Sequence, residues 1–167
     1  MIASKFAPQG LSDLAAALHL KPANLEVLLE SAEGSYHRYP LRARRNRPRW
    51  IEAPKPLLKH AQRTLLEKLL YQAHPHEAAH GFYPGRSILT NANPHCGKAW
   101  ALTCDLKAFF PSTKQTMVET VLKRCYGLGE EARGAVLRLV CRGGALPQGA
   151  PTSPHLANLA FFDGDEG

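Results

Sequence analysis

The clearest hydrophobic pattern runs from Leu57 to Tyr71. Leu58, Ala61, Leu65, Leu66, Leu69 and Leu70 fall on or near one helical face, with Lys59, Arg63 and Lys68 on the polar side. Ser12 to Leu20 repeats helical spacing, and Ser12 or Asp13 stands where a cap belongs. Pro22 opens a second helix, at its first position after Lys21 or within its first turn, and Gly34 ends it. Thr113 to Cys125 and Glu130 to Cys141 predict two more helices. Between these, Tyr36 to Pro54 reads as two short strands around a turn at Arg45-Asn46-Arg47-Pro48. Residues 74–98 are loop-rich, and Ala99 to Leu106 is a mainly apolar strand. Mixed strands and helices of this kind belong to an α+β or α/β domain.

Charge changes the picture more than composition does. The chain has 167 residues and a formal net charge of +7, enough length for a domain with a real core. The positive charge is concentrated. Arg38, Arg42, Arg44, Arg45, Arg47, Arg49, Lys55, Lys59 and Arg63 lie between Tyr36 and Arg63, opposed only by Glu52. Such a cluster favours a phosphate-rich partner, because neutralised phosphates release their condensed counterions. Cys96, Cys104, Cys125 and Cys141 show no Cys-x-x-Cys spacing, so neither a zinc signature nor a disulfide framework is legible. Free thiols, no apolar run of about 20 residues and no charged start before an apolar core lead us to expect a cytoplasmic protein.

Two segments carry candidate chemistry. One is Ala101-Leu102-Thr103-Cys104-Asp105-Leu106-Lys107-Ala108-Phe109-Phe110-Pro111-Ser112. A carboxylate at the end of an apolar strand is costly unless something positive meets it. Taken alone, Asp105 would cap a helix or pair with an Arg or Lys side chain. The other is Leu146-Pro147-Gln148-Gly149-Ala150-Pro151-Thr152-Ser153-Pro154, followed by Leu156-Ala157-Asn158-Leu159. On its own it is a proline-rich connector. His74, His76 and His80 suggest a metal site, but no acidic or cysteine ligand completes it. His95 either orders the loop before Asp105 or is a hydrogen-bonded buried histidine.

In order along the chain, these segments resemble the bacterial retron-type reverse transcriptases. Asp105 to Ser112 is similar to their first palm motif and Leu146 to Pro154 to their second. Ala79-His80-Gly81-Phe82, Gly85-Arg86-Ser87-Ile88 and Asn91-Ala92-Asn93-Pro94-His95 resemble the stretch before the first motif. The resemblance covers roughly residues 36–160. It implies an α+β right-hand polymerase fold, with fingers and an incomplete palm lacking the third palm motif and the thumb. Residues 1–35 would be a helical lead-in, 36–98 a fingers-like region, 99–160 a partial palm and 161–167 an aberrant acidic tail. Asp163, Asp165 and Glu166 in that tail read as solvated rather than as the missing carboxylates. The family pattern breaks near Phe161, as a frameshift, a contig end or a premature stop would break it.

By the same resemblance, Asp105 would be the catalytic aspartate and hold Mg²⁺, which takes few carboxylates plus waters and phosphate oxygens. Leu106 would lend its carbonyl to that ion. Phe110 looks like the steric gate against a 2′-hydroxyl, whereas Phe109 reads as core. Gln148 and Gly149 would pack against the incoming nucleotide and template. Arg49 would grip the triphosphate. The family's usual lysine falls at Ala43, with Arg44 or Arg42 as substitutes. Arg42, Arg45, Arg47, Lys59 and Arg63 would meet RNA. The implied activity is RNA-directed DNA synthesis from deoxynucleoside triphosphates on a structured RNA, with an effector protein as a further partner. The chain alone is expected to be inactive. Two alternatives compete: a non-catalytic RNA-binding module, and a degenerate product that lacks the strands its palm sheet needs.

Overall fold

The structure is a computed structural model and describes residues 7–41 and 48–162. It is α+β: eight helices and one two-stranded sheet among the described residues. Helix α1 is Leu11–Ala17 and α2 is Pro22–Ser31. Lys21 is the N-cap of α2, so Pro22 sits at the first position, where its missing N–H costs nothing. Strands β1 (Tyr36–Leu41) and β2 (Arg49–Pro54) pair antiparallel, Tyr36 opposite Pro54 and Leu41 opposite Arg49. Helix α3 (Pro56–Lys68) follows, extended by a 3₁₀ turn over Leu70–Gln72.

Residues 74–98 contain two helical pieces, α4 (Ile88–Ala92) and a 3₁₀ turn at Asn93–His95. Ser87 caps α4 by accepting from the Thr90 N–H. The Arg86 guanidinium donates to the carbonyls of His76, Glu77 and Ala79 and closes the loop before it. Then come α5 (Phe109–Ser112), α6 (Gln115–Tyr126), α7 (Glu130–Val140) and α8 (Ser153–Ala160).

The core joins both ends of the chain. Leu14, Leu25, Leu58, Leu65, Leu122, Leu139 and Leu156 share one buried cluster, so α1, α2, α3, α6, α7 and α8 bury their apolar faces together. Leu70 forms a polar hub inside it. Its carbonyl accepts both the Tyr126 hydroxyl at 2.7 Å and the His155 ring at 2.8 Å.

The expected strand at Ala99–Leu106 is absent: residues 99–106 have no regular structure and are exposed. A strand needs a neighbour for its backbone groups, and the sheet holds β1 and β2 alone. Trp100 and Leu102 are therefore 80% and 79% exposed. The predicted turn residues 45–47 lie outside the described residues.

Candidate functional site

The connection from α7 to α8 begins with a tight reversal. Arg142 and Ala145 exchange backbone hydrogen bonds of 2.8 and 3.2 Å. Gly143 and Gly144 between them take φ of +57° and +75°, the left-handed pair that a two-residue turn requires. After the turn, the Leu146 N–H donates to the Thr113 carbonyl at 3.1 Å. The start of the second motif is thus bonded to the residue that directly follows the first.

The chain then runs onto the hairpin. The Glu52 N–H donates to the Gln148 carbonyl at 2.7 Å. Gly149, at φ +129°, lies so close to β2 that a Cβ would stand 3.0 Å from Ile51 Cγ2 and 3.1 Å from the Glu52 carbonyl oxygen. Glycine is required here both for its backbone angle and for this approach. Beyond the contact, Ser153 is buried and donates its hydroxyl to the Pro147 carbonyl at 2.8 Å, shaping the loop from within. Arg49 opens β2 two residues before Ile51, so the two side chains share one face of the hairpin. Arg49 is exposed there.

Two more elements meet α8. Asn158 donates to the Gly81 carbonyl at 3.0 Å, tying the helix to the loop that Arg86 closes. His155 is buried, stacks on Tyr83 at 5.7 Å and meets the Tyr71 ring edge-on at 5.2 Å. Its Nε2 faces the Leu70 carbonyl and so carries the proton, leaving Nδ1 buried without a partner. Burial, and secondarily the neighbouring His74, hold its pKa below the ordinary value, against the opposing pull of the Leu70 carbonyl.

Below pH about 6.5 the unfolded chain takes up a proton at this position more readily than the folded one, so folding stability declines as the pH is lowered. The urea midpoint of the wild type should drop between pH 7.5 and pH 5.5 by more than that of His155→Gln. Equal drops in the two proteins would refute this assignment.

Other predicted site residues are distributed unevenly. Phe110 is half-buried in α5, its ring 5.9 Å from Phe109, which in turn meets Phe161 edge-on. Asp105 and Leu106 are exposed in the irregular segment, and no hydrogen bond or ion pair among the described residues joins Asp105 to the hairpin or the loop. Lys59 and Arg63 are exposed one turn apart on α3. Arg42, Arg44, Arg45 and Arg47 lie outside the described residues. His95 is exposed, bordering an open cleft of about 500 Å³ with Asn91, Leu102 and Thr103. His74 and His80 turn to Tyr83 and Thr90. Among the described residues no group of three His, Cys, Asp or Glu side chains can hold a metal.

No protein-family model matches the chain. Curated proteins do. It is 33% identical to the retron Ec86 reverse transcriptase of Escherichia coli over 151 residues, 89% of this chain and 47% of that protein. It is 41% identical to the retron Mx162 reverse transcriptase of Myxococcus xanthus over 128 residues, 66% of this chain and 26% of that one. The chain belongs to the retron reverse transcriptase family. A second Escherichia coli relative, the retron Ec83 reverse transcriptase, matches at 29% over 92% of this chain and 53% of its own length. The chain thus spans about half the length of these retron relatives, or less. No helix among its described residues is long and apolar enough to cross a membrane.

Sequence reasoning missed Glu52, Gln62, Arg142 and His155. Each is an ordinary residue type outside the quoted palm motifs or at their margin, and each acquires its role through a partner 26 to 90 residues away.

Proposed function

We propose that the chain forms the nucleotide-facing part of an RNA-directed DNA polymerase, fingers with the first half of a palm. The observation that carries this is the 2.7 Å bond from the Glu52 N–H to the Gln148 carbonyl, with Gly149 packed on β2. It sets the second-motif loop beside the strand that begins with Arg49. In this reading Arg49, helped by Arg44, grips the triphosphate, because a guanidinium fork matches phosphate oxygens. Gln148 and Gly149 floor the nucleotide, and Phe110 excludes a 2′-hydroxyl. Arg42, Arg45, Arg47, Lys59 and Arg63 meet the phosphates of a structured RNA.

In this reading Asp105, with the Leu106 carbonyl, would hold the Mg²⁺ ion, which would supply charge stabilisation at the substrate phosphates. The described residues bring no further ligand to Asp105, so by themselves they do not fit the ion.

Titration of this chain with a fluorescent deoxynucleoside triphosphate tests the reading. Arg49→Ala should weaken binding about tenfold or more, the worth of a charge-assisted phosphate contact. Arg63→Ala should leave triphosphate affinity within about twofold while weakening RNA binding, as expected for a single backbone contact. Equal affinity of the wild type and Arg49→Ala, or no binding by the wild type, would overturn it.

A further inference from the structure

The nucleotide-facing loop is fastened to the hairpin at two points, and Arg142 supplies the second. The Arg142 guanidinium forms an ion pair with the Glu52 carboxylate. It also donates from Nε to the Glu33 carbonyl at 3.2 Å and lies 5.4 Å over the Tyr36 ring. The next residue adds a tie, since the Gly143 N–H donates to the Glu33 carboxylate at 3.1 Å. Six residues after Arg142, Gln148 accepts from the Glu52 backbone. Glu52 is therefore held on both sides by one connection, through its side chain by Arg142 and through its amide by Gln148.

We propose that Arg142 is a positioning residue: its ion pair with Glu52 sets β2 against the Gln148–Gly149 loop and so fixes the distance between Arg49 and that loop. This rests on the reading of Arg49 and the loop as a nucleotide site. The physical case is the placement of the pair. Both side chains are about three-quarters buried, at 27% and 22% exposure, so the pair is screened less than an exposed one. Removing one partner also strands the other's charge. The guanidinium is rigid and planar and engages three groups at once, from the turn after α2, from β1 and from β2, which a flexible ammonium cannot reproduce in full. The Gly143-Gly144 reversal transmits the position, because it fixes Arg142 relative to Ala145 and hence to the loop.

The test uses the full chain with Arg142→Gln and Arg142→Lys. Amide hydrogen exchange reads the fastening directly, and titration with fluorescent deoxyadenosine triphosphate reads its consequence. In Arg142→Gln the Glu52 amide should exchange about tenfold faster, with the Leu122 amide of α6 unchanged. Triphosphate affinity should fall about fivefold, and Arg142→Lys should recover part of both. An unchanged Glu52 amide in Arg142→Gln overturns the proposal. So does an equal acceleration at Leu122, since that would make Arg142 a contributor to global stability alone. Absence of triphosphate binding by the wild type would instead sink the nucleotide reading, and the exchange at Glu52 would still decide whether Arg142 fastens the loop.

Discussion

Gly149→Val should destabilise the chain by about 2–4 kcal/mol and lift the second-motif loop from the hairpin. Two costs add. At φ +129° a β-branched residue is outside its allowed backbone region, which alone carries about 1–3 kcal/mol. The added Cβ would meet Ile51 Cγ2 at 3.0 Å and the backbone of Glu52 at 3.1 and 3.3 Å. The isoleucine methyl can rotate aside, but the Glu52 carbonyl belongs to a paired strand opposite Arg38 and cannot. The loop must therefore retreat, stretching the bond between Glu52 and Gln148. Urea unfolding measures the loss, and faster exchange at the Glu52 amide locates it. Gly149→Ala should show the same pattern at about half the size. A valine variant with a wild-type midpoint and unchanged Glu52 exchange would mean that the loop does not rest on β2.

The sequence was most legible where local physics decides. The apolar stripe of α3, the proline at the start of α2 and the two strands at Tyr36–Leu41 and Arg49–Pro54 need no distant partner to be recognised. The family, too, could be read from short motifs, since motifs survive without knowledge of packing. Residues 99–106 show the limit. They are mainly apolar, as a buried strand's residues would be, with Ala99, Trp100, Ala101 and Leu102 in one run before Asp105. An apolar run states a preference, whereas a strand exists only if another supplies the hydrogen bonds. Among the described residues none does, and Leu102 and Leu106 stay exposed.

The candidate site divides the same way. Arg49, Gln148 and Gly149 were singled out as candidates by residue type and motif, but the contact between the Gln148–Gly149 loop and β2 was not legible. It depends on Arg142 finding Glu52 across 90 residues of chain, a contact that no periodicity announces.

Gln62→Leu should cost about 2–4 kcal/mol although it replaces a polar side chain with an apolar one of similar size. Gln62 is fully buried in α3. Its amide donates to the Leu139 carbonyl at 2.7 Å and to the Tyr36 hydroxyl at 3.0 Å. Leu139 belongs to the last turn of α7, whose carbonyls have no partner inside the helix. Leucine would leave that carbonyl and the phenol buried and unsatisfied, at about 1–3 kcal/mol each, less whatever water or small shifts recover. One gain opposes this: the Gln62 Oε1, itself unpartnered, disappears. The gain is smaller than two losses, so the sign holds. Urea midpoints across Gln62→Leu, Tyr36→Phe and the double variant separate the terms, because Tyr36→Phe removes the hydroxyl that Gln62→Leu would strand. The double variant should therefore be less destabilised than the sum of the singles by at least about 0.5 kcal/mol. Strict additivity would show that the bond contributes nothing. Tyr36 also lies beneath Arg142, so the hydrogen bond that seats β1 on α3 and the ion pair that holds β2 act on one hairpin. Weakening either should loosen the strand that carries Arg49.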